Sequence, residues 1–212
     1  MVTLAALYGA GGSVVGPRVA DRLGVPFLDR GIPEAVAKEA GLSDQAVDEI
    51  DEKPRSTTTR LVATLGRAAT AGGSEGSVDR LDLQERRLRS YIEEFLAESA
   101  ASGGVALGRG GMVVLRDVPW ALHVYLGGPV DARIEQAMRI DRIERDQAER
   151  EQKLEDRARI DYVQRAYGVD GTDSVLYHLT LDSTALELDA CVELIVAASR
   201  ARRKARGTRP VS

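Results

Sequence analysis

The run Gly9-Ala10-Gly11-Gly12-Ser13, continuing to Gly16, has residue types and spacing that could do chemistry. Glycines let successive backbone N–H groups converge, and a helix that follows adds its positive end. Together they make a cradle for phosphate. The flanks fit. Val2 to Tyr8 (VTLAALY) is an almost unbroken apolar run, suited to a strand buried on both faces. Pro17 to Leu23 has helical spacing and stops at Gly24. A glycine-rich loop also describes a plain tight turn that needs positive φ, so the strand-and-helix context carries the phosphate reading. The loop departs from the GxxxxGK[ST] pattern. In the helix register Gly12 stands where that pattern has lysine and Val14 where it has the magnesium-binding hydroxyl. Ser13 is the only hydroxyl in the loop.

The elements that must position this loop follow from the rest of the chain. Val25 to Asp29 is a second short apolar run ending in an acid. Helices are predicted over 34–40, opened by Pro33, and from Ser43 to about Glu52. Residues 54–80 read as a flexible insertion, with a Gly/Ser loop and a short helix from Thr59 to Thr70. Leu81 to Ala101 is a long amphipathic helix. Val105 to Leu107 is a third strand candidate, running into Gly108-Arg109-Gly110-Gly111, and Ala121 to Leu126 is a fourth. Asp131 to Tyr167 is helical and heavily charged, which by itself describes a solvated helical hairpin with i,i+4 ion pairs. A short strand over Leu176 to Leu181 and a helix from Ala185 to Arg203 complete the chain. Strand and helix alternate, so the predicted fold is α/β: a three-layer α/β/α sandwich with a parallel sheet. In such folds ligands bind beyond the carboxyl ends of the strands.

Composition narrows the function classes. The 212 residues suffice for one domain with a core, or for one domain with a small appendage. The net charge of −4 gives no sign of wholesale nucleic-acid binding. No apolar run approaches the roughly 20 residues of a membrane helix, and the N-terminus has no signal-peptide pattern, so a cytoplasmic location is expected. Two histidines, His123 and His178, and one cysteine make a zinc site improbable, no metal-ligating residues are assigned, and Cys191 reads as a buried structural thiol.

The stretch GAGGSVVGPRVADRLGVPFLDR resembles the opening of the cytidylate-kinase-like proteins, a branch of the P-loop nucleoside monophosphate kinases. The resemblance continues through EAVAKEAGLS and DEKPRS and resumes at ALGRGGMVVLRDVPWALHVYLGGPVDARIEQAM. It is specific again at DRARIDYVQRAYGVDGTDSVLYHLTLDSTALELDACVELI. Only residues 54–80 match poorly, and the family's usual glycine loop also lacks the lysine. The resemblance implies one P-loop kinase-like domain over 1–212, with 131–167 as a charged helical lid or arm. It implies that Gly9, Ala10, Gly11, Gly12 and Ser13 hold the donor phosphates. Asp29 matches the acid of the monophosphate-binding turn. Arg109 matches an arginine that holds the acceptor phosphate or base edge, and Arg133 one that faces the nucleotide. Asp156, Arg157, Arg159 and Asp161 fall in the lid, whose arginines close over the transferring phosphates. ATP with Mg2+ is the implied cofactor pair.

Two departures stand beside these roles. Family members often carry a glutamate near position 14, where this chain has Val14. Arg30 and Ala35 occupy positions where cytidylate kinases have a serine and an arginine after the acid. Three functions stay open. One is a nucleoside monophosphate kinase acting on CMP or a related acceptor, with a nucleoside triphosphate and a monophosphate as partners. Another is a non-catalytic nucleotide or phosphate sensor. The third is an interaction protein whose contact arm is 131–167, which could also be a homo-oligomer surface.

Overall fold

The computed structural model describes residues 1–28 and 75–207. Asp29, the helices predicted over 34–40 and 43–52, and the insertion up to residue 74 lie outside the described residues.

Strand β1 (Val2–Ala6) is almost wholly buried, as its unbroken apolar run predicts. It lies between β3 (Val105–Leu107) and β4 (Leu122–Gly127), with Val2 opposite both Val105 and Leu122. The two-residue strand β2 (Phe27–Leu28) and β5 (Leu179–Asp182) form the edges. The order is β2-β3-β1-β4-β5, and all neighbours are parallel. This is the predicted α/β fold.

Alternation along β1 sorts the two faces of the sheet. Val2, Leu4 and Ala6 join one core cluster with Val15 and Val19 of helix α1 (Gly12–Leu23). Cys191, Ile195 and Val196 of the last helix belong to the same cluster. Thr3 points the other way and meets the short helix at Gly111–Val114, where a Cβ on Gly111 would lie 2.9 Å from Thr3 Cγ2. Cys191 is a fully buried free thiol, and burial pushes its pKa up.

Several boundaries differ from expectation. Helix α1 starts at Gly12, not Pro17, so Gly12 to Gly16 belong to the helix and not to the loop. Gly11 turns the chain at φ 72°, and the N–H groups of Val14 and Val15 both donate to its carbonyl. Pro17 sits inside the helix and cannot bond back to Ser13, but Ser13 is exposed to water. Helix α2 runs Glu75–Ser102 and includes the end of the expected insertion. A third helix, α3, is the Gly111–Val114 turn already described. The charged region forms two helices, α4 (Val130–Asp141) and α5 (Arg145–Tyr167), broken where Arg142 takes φ 55°. It is not simply a solvated hairpin, because Arg133, Glu155 and Asp156 are buried. A 3₁₀ turn over Ser174–Leu176 delays β5 by three residues, and α6 spans Leu188–Gly207.

By internal packing the chain divides into Met1–Leu28 with Leu96–Ser212, and Asp29–Phe95. Of the second unit, residues 75–95 are described and are helical, with Arg89 and Glu93 paired at 3.8 Å. No helix among the described residues is long and apolar enough to cross a membrane.

Candidate active site

Strand β1 leads to β2 on one side of the sheet, and its neighbour β4 leads to β5 on the other. Adjacent strands whose connections diverge leave a crevice at their carboxyl ends. The first loop and the start of α1 lie at this crevice. Gly9 and Gly11 both take left-handed backbone conformations, at φ 74° and 72°. Ala10 N–H donates to Leu7 O at 3.1 Å, and Tyr8 N–H donates to Asp156 Oδ1 at 2.8 Å. Among the described residues, the N–H groups of Gly9, Gly11, Gly12 and Ser13 have no hydrogen-bond partner. Gly12 and Ser13 occupy the first turn of α1, where the helix supplies none.

The opposite side of the loop is packed by the protein itself. Gln136 Nε2 donates to Gly9 O at 3.0 Å, and Ser183 Oγ donates to Ala10 O at 2.8 Å. A Cβ on Gly9 would lie 2.1 Å from the carbonyl oxygen of Arg133, and one on Gly11 would lie 2.7 Å from Leu188. The glycines therefore serve close packing as well as N–H exposure.

Arg133 is 2% exposed and is not a surface charge. Its Nη1 donates to Tyr8 O at 2.6 Å and its Nε to Gly128 O at 3.0 Å, joining the ends of β1 and β4. Nη1 also lies 2.9 Å from Asp156 Oδ2. Arg159 reaches the same region, donating from Nη1 to Ala6 O at 3.0 Å and pairing with Glu155. Burial works against its charge, and the Glu155 and Asp156 carboxylates favour it. Tyr8 OH donates to Glu151 at 2.9 Å, and burial followed by that bond raises its pKa.

Arg157 and Asp161 are not brought to the loop. Arg157 is 84% exposed and faces Asp161 at 3.6 Å along α5. Arg109 follows β3, on the same carboxyl edge as the loop, where Gly108 N–H donates to Leu4 O at 2.7 Å. It takes φ 64°, a conformation unusual for a side chain larger than glycine. The Tyr167 ring lies against Gly110, where a Cβ would be 2.3 Å from it. Asp29 lies outside the described residues. Tyr8, Gln136 and Ser183 belong to the site although no motif in the sequence marks them for it. Gln136 has one available signal, its i+3 spacing from Arg133 on α4.

The free N–H groups at the start of α1 suit phosphate oxygens. No lysine stands at position 12, and Arg133 and Arg159 are both already held by carbonyls and carboxylates. No group of three or more His, Cys, Asp or Glu among the described residues could hold a metal ion. The described residues thus fit a phosphate but offer no ready-made magnesium site.

A family model described as the cytidylate kinase-like family matches residues 1–185. The chain belongs to the cytidylate kinase-like family. A solved structure of an uncharacterized protein from Eubacterium ventriosum is similar to this cytidylate kinase-like chain at a TM-score of 0.64 and 15% identity, covering 94% of this chain and 97% of that one. A gluconokinase from Sinorhizobium meliloti is similar at 0.50 and 14%, covering 99% and 97%. These likenesses speak for the fold, and family and fold together support a P-loop kinase. A curated uronate isomerase from Corynebacterium glutamicum is 25% identical over 141 residues, which is 66% of this chain. The match spans only 27% of that protein's length.

Proposed function

We propose that this cytidylate kinase-like chain is a nucleoside monophosphate kinase that moves the γ-phosphoryl group of ATP to CMP or a related monophosphate. The observation that carries the reading is the set of free N–H groups of Gly9, Gly11, Gly12 and Ser13 at the diverging ends of β1 and β4. In the transfer, an acceptor phosphate oxygen bonds to the γ-phosphorus, and the bond from that phosphorus to the β-phosphate oxygen breaks, releasing ADP. Such transfers need little covalent help from protein, so positioning and charge stabilisation do most of the catalysis.

Gly9, Gly11, Gly12 and Ser13 hold donor phosphates through backbone N–H groups, and Ala10, whose N–H donates to Leu7 O, keeps the turn between them. Arg109 takes the acceptor, and Asp29 keeps the monophosphate-binding role that the family resemblance implies. Arg133 holds the crevice in shape and lends positive potential from beneath it. Arg159 does the same at the base of the loop, and Arg157 with Asp161 supplies mobile charge from the exposed face of α5. Magnesium bound to the triphosphate would supply neutralising charge to its oxygens, and no cluster among the described residues would hold it. The setting is the cytoplasm, where nucleoside triphosphates are available.

A coupled ADP-release assay across the four ribonucleoside monophosphates tests this, with uronates added because of the uronate isomerase match. Turnover with a monophosphate supports the kinase. A second reading, a nucleotide sensor without turnover, is favoured by Gly12, by Val14 and by the engagement of Arg133 and Arg159. It predicts ATP binding with no ADP release. Absence of both binding and turnover would sink the two together and leave an interaction role for α4 and α5, read by self-association in sedimentation.

A further inference from the structure

The carboxylate of Asp156 is a junction between α5 and the first loop. Oδ1 accepts the Tyr8 N–H at 2.8 Å. Oδ2 accepts from Gln152 at 2.8 Å and lies 2.9 Å from Arg133 Nη1. Arg133 in turn donates to the carbonyl of Tyr8 at 2.6 Å. The N–H and the C=O of one loop residue are thus held by the two halves of a single buried ion pair. The ring is closed: Tyr8 N–H to Asp156, Asp156 to Arg133, Arg133 to Tyr8 C=O. Gly9 follows directly; its carbonyl accepts from Gln136, and the Arg133 carbonyl oxygen fills the space a Cβ there would need. No step of the proposed transfer uses the Asp156 carboxylate.

We infer that Asp156 is a positioning residue: it sets the backbone of Tyr8 and Gly9 and couples the placement of α5 to the phosphate-binding shape of the loop. The physical ground is the cost of the alternatives. If α5 moved away, the Tyr8 N–H would lose its acceptor and the Arg133 guanidinium its counter-charge in a buried place. Loop and helix therefore move together or not at all. This makes α5 a sensor of loop occupancy, and by linkage a ligand on the loop must act back on α5. The inference rests on the phosphate reading of the loop only for its functional consequence. The coupling itself is testable without any ligand.

The experiment is amide hydrogen exchange on the full chain, comparing wild type with Asp156→Asn. The substitution leaves an acceptor for Tyr8 N–H but removes the charge that holds Arg133. Exchange at the hydrogen-bonded loop amides of Tyr8 and Ala10 should accelerate at least tenfold, with protection in β4 and α6 unchanged. ATP affinity, measured by calorimetry, should weaken by a similar factor. Equal loop exchange in a folded variant overturns the inference. So does acceleration spread evenly over the sheet, since a merely structural residue would do that. Should Asp156→Asn fail to fold, Gln152→Ala keeps the carboxylate and removes one of its anchors. It is expected to accelerate exchange at Tyr8 and Ala10 by a smaller factor, and no change there overturns the coupling. If wild type binds no ATP, the proposed function falls, and the exchange comparison still decides the coupling.

Discussion

Arg133 of α4 and Asp156 of α5 meet at 2.9 Å beneath the first loop, with only 3% and 12% of their side chains exposed. A pair this deep costs much to desolvate, and removing one partner leaves the other charged and alone. Arg133→Met should therefore destabilise the fold by about 3–5 kcal/mol. Urea unfolding followed through Trp120, the one tryptophan, would measure it. Arg157→Met is the control. Its 84% exposed side chain should contribute no more than about 0.5 kcal/mol. Equal losses in the two variants would contradict the buried-pair account.

Glycines at positive φ divide into crowded and open cases. Gly9→Ala places a Cβ 2.1 Å from a backbone oxygen, which cannot move without shifting α4. Gly24→Ala meets nothing within 4 Å and carries only the cost of its φ of 65°. The second change should cost about 1–2 kcal/mol, and the first distinctly more. Thermal midpoints of the two variants decide the order.

The acceptor role of Arg109 makes a kinetic prediction. Arg109→Ala should raise the acceptor KM about 10- to 100-fold, the equivalent of roughly 1.5–3 kcal/mol for a hydrogen bond to a charged group. The fold should persist, because removing the side chain leaves the loop backbone in place. Unchanged kinetics in a folded variant would remove Arg109 from the site. Gly12→Lys restores the missing loop cation and should alter ATP affinity, and indifference would mark the loop as a structural turn.

His123 and His178 supply a pH dependence remote from the glycine loop. Their rings stack at 4.8 Å, and the His123 N–H donates to His178 Nδ1 at 3.0 Å. Burial first, then His178 and Arg202, pushes the His123 pKa down to about 4 from 6.5. The pKa of His178 is also lowered, by burial and by Arg202. Between 6.5 and about 4 the unfolded chain therefore binds more protons than the folded one. Stability should fall as pH drops through that window. His123→Asn should flatten the dependence, as read from urea midpoints at several pH values.

Much of this was legible in the residues themselves. The buried run of β1, the glycine loop and the helix after it follow from apolar continuity and local backbone freedom, which act over a few residues. The family resemblance extended along most of the chain for the same reason, since each matching stretch is local. The start of α1 was not legible. Pro17 marks a helix start by its own preference, but burial of Val15 against the sheet and the turn at Gly11 move the start back to Gly12. The break at Arg142 was equally hidden, because nothing in an arginine announces left-handed backbone.

The charged helices mark the division most clearly. Arg133, Asp156, Arg157 and Arg159 all belong to one run of alternating charge, and helical periodicity treats them alike. Which of them meets water depends on what α4 and α5 lie against. The bonds from Tyr8 to Arg133 and Asp156 join residues 125 and 148 positions apart in the chain. The sequence by itself determined that a glycine loop ends the first strand and leads into a helix. Only the tertiary structure decided that a buried ion pair grips that loop, because low dielectric and burial belong to a place in the fold and not to a residue type.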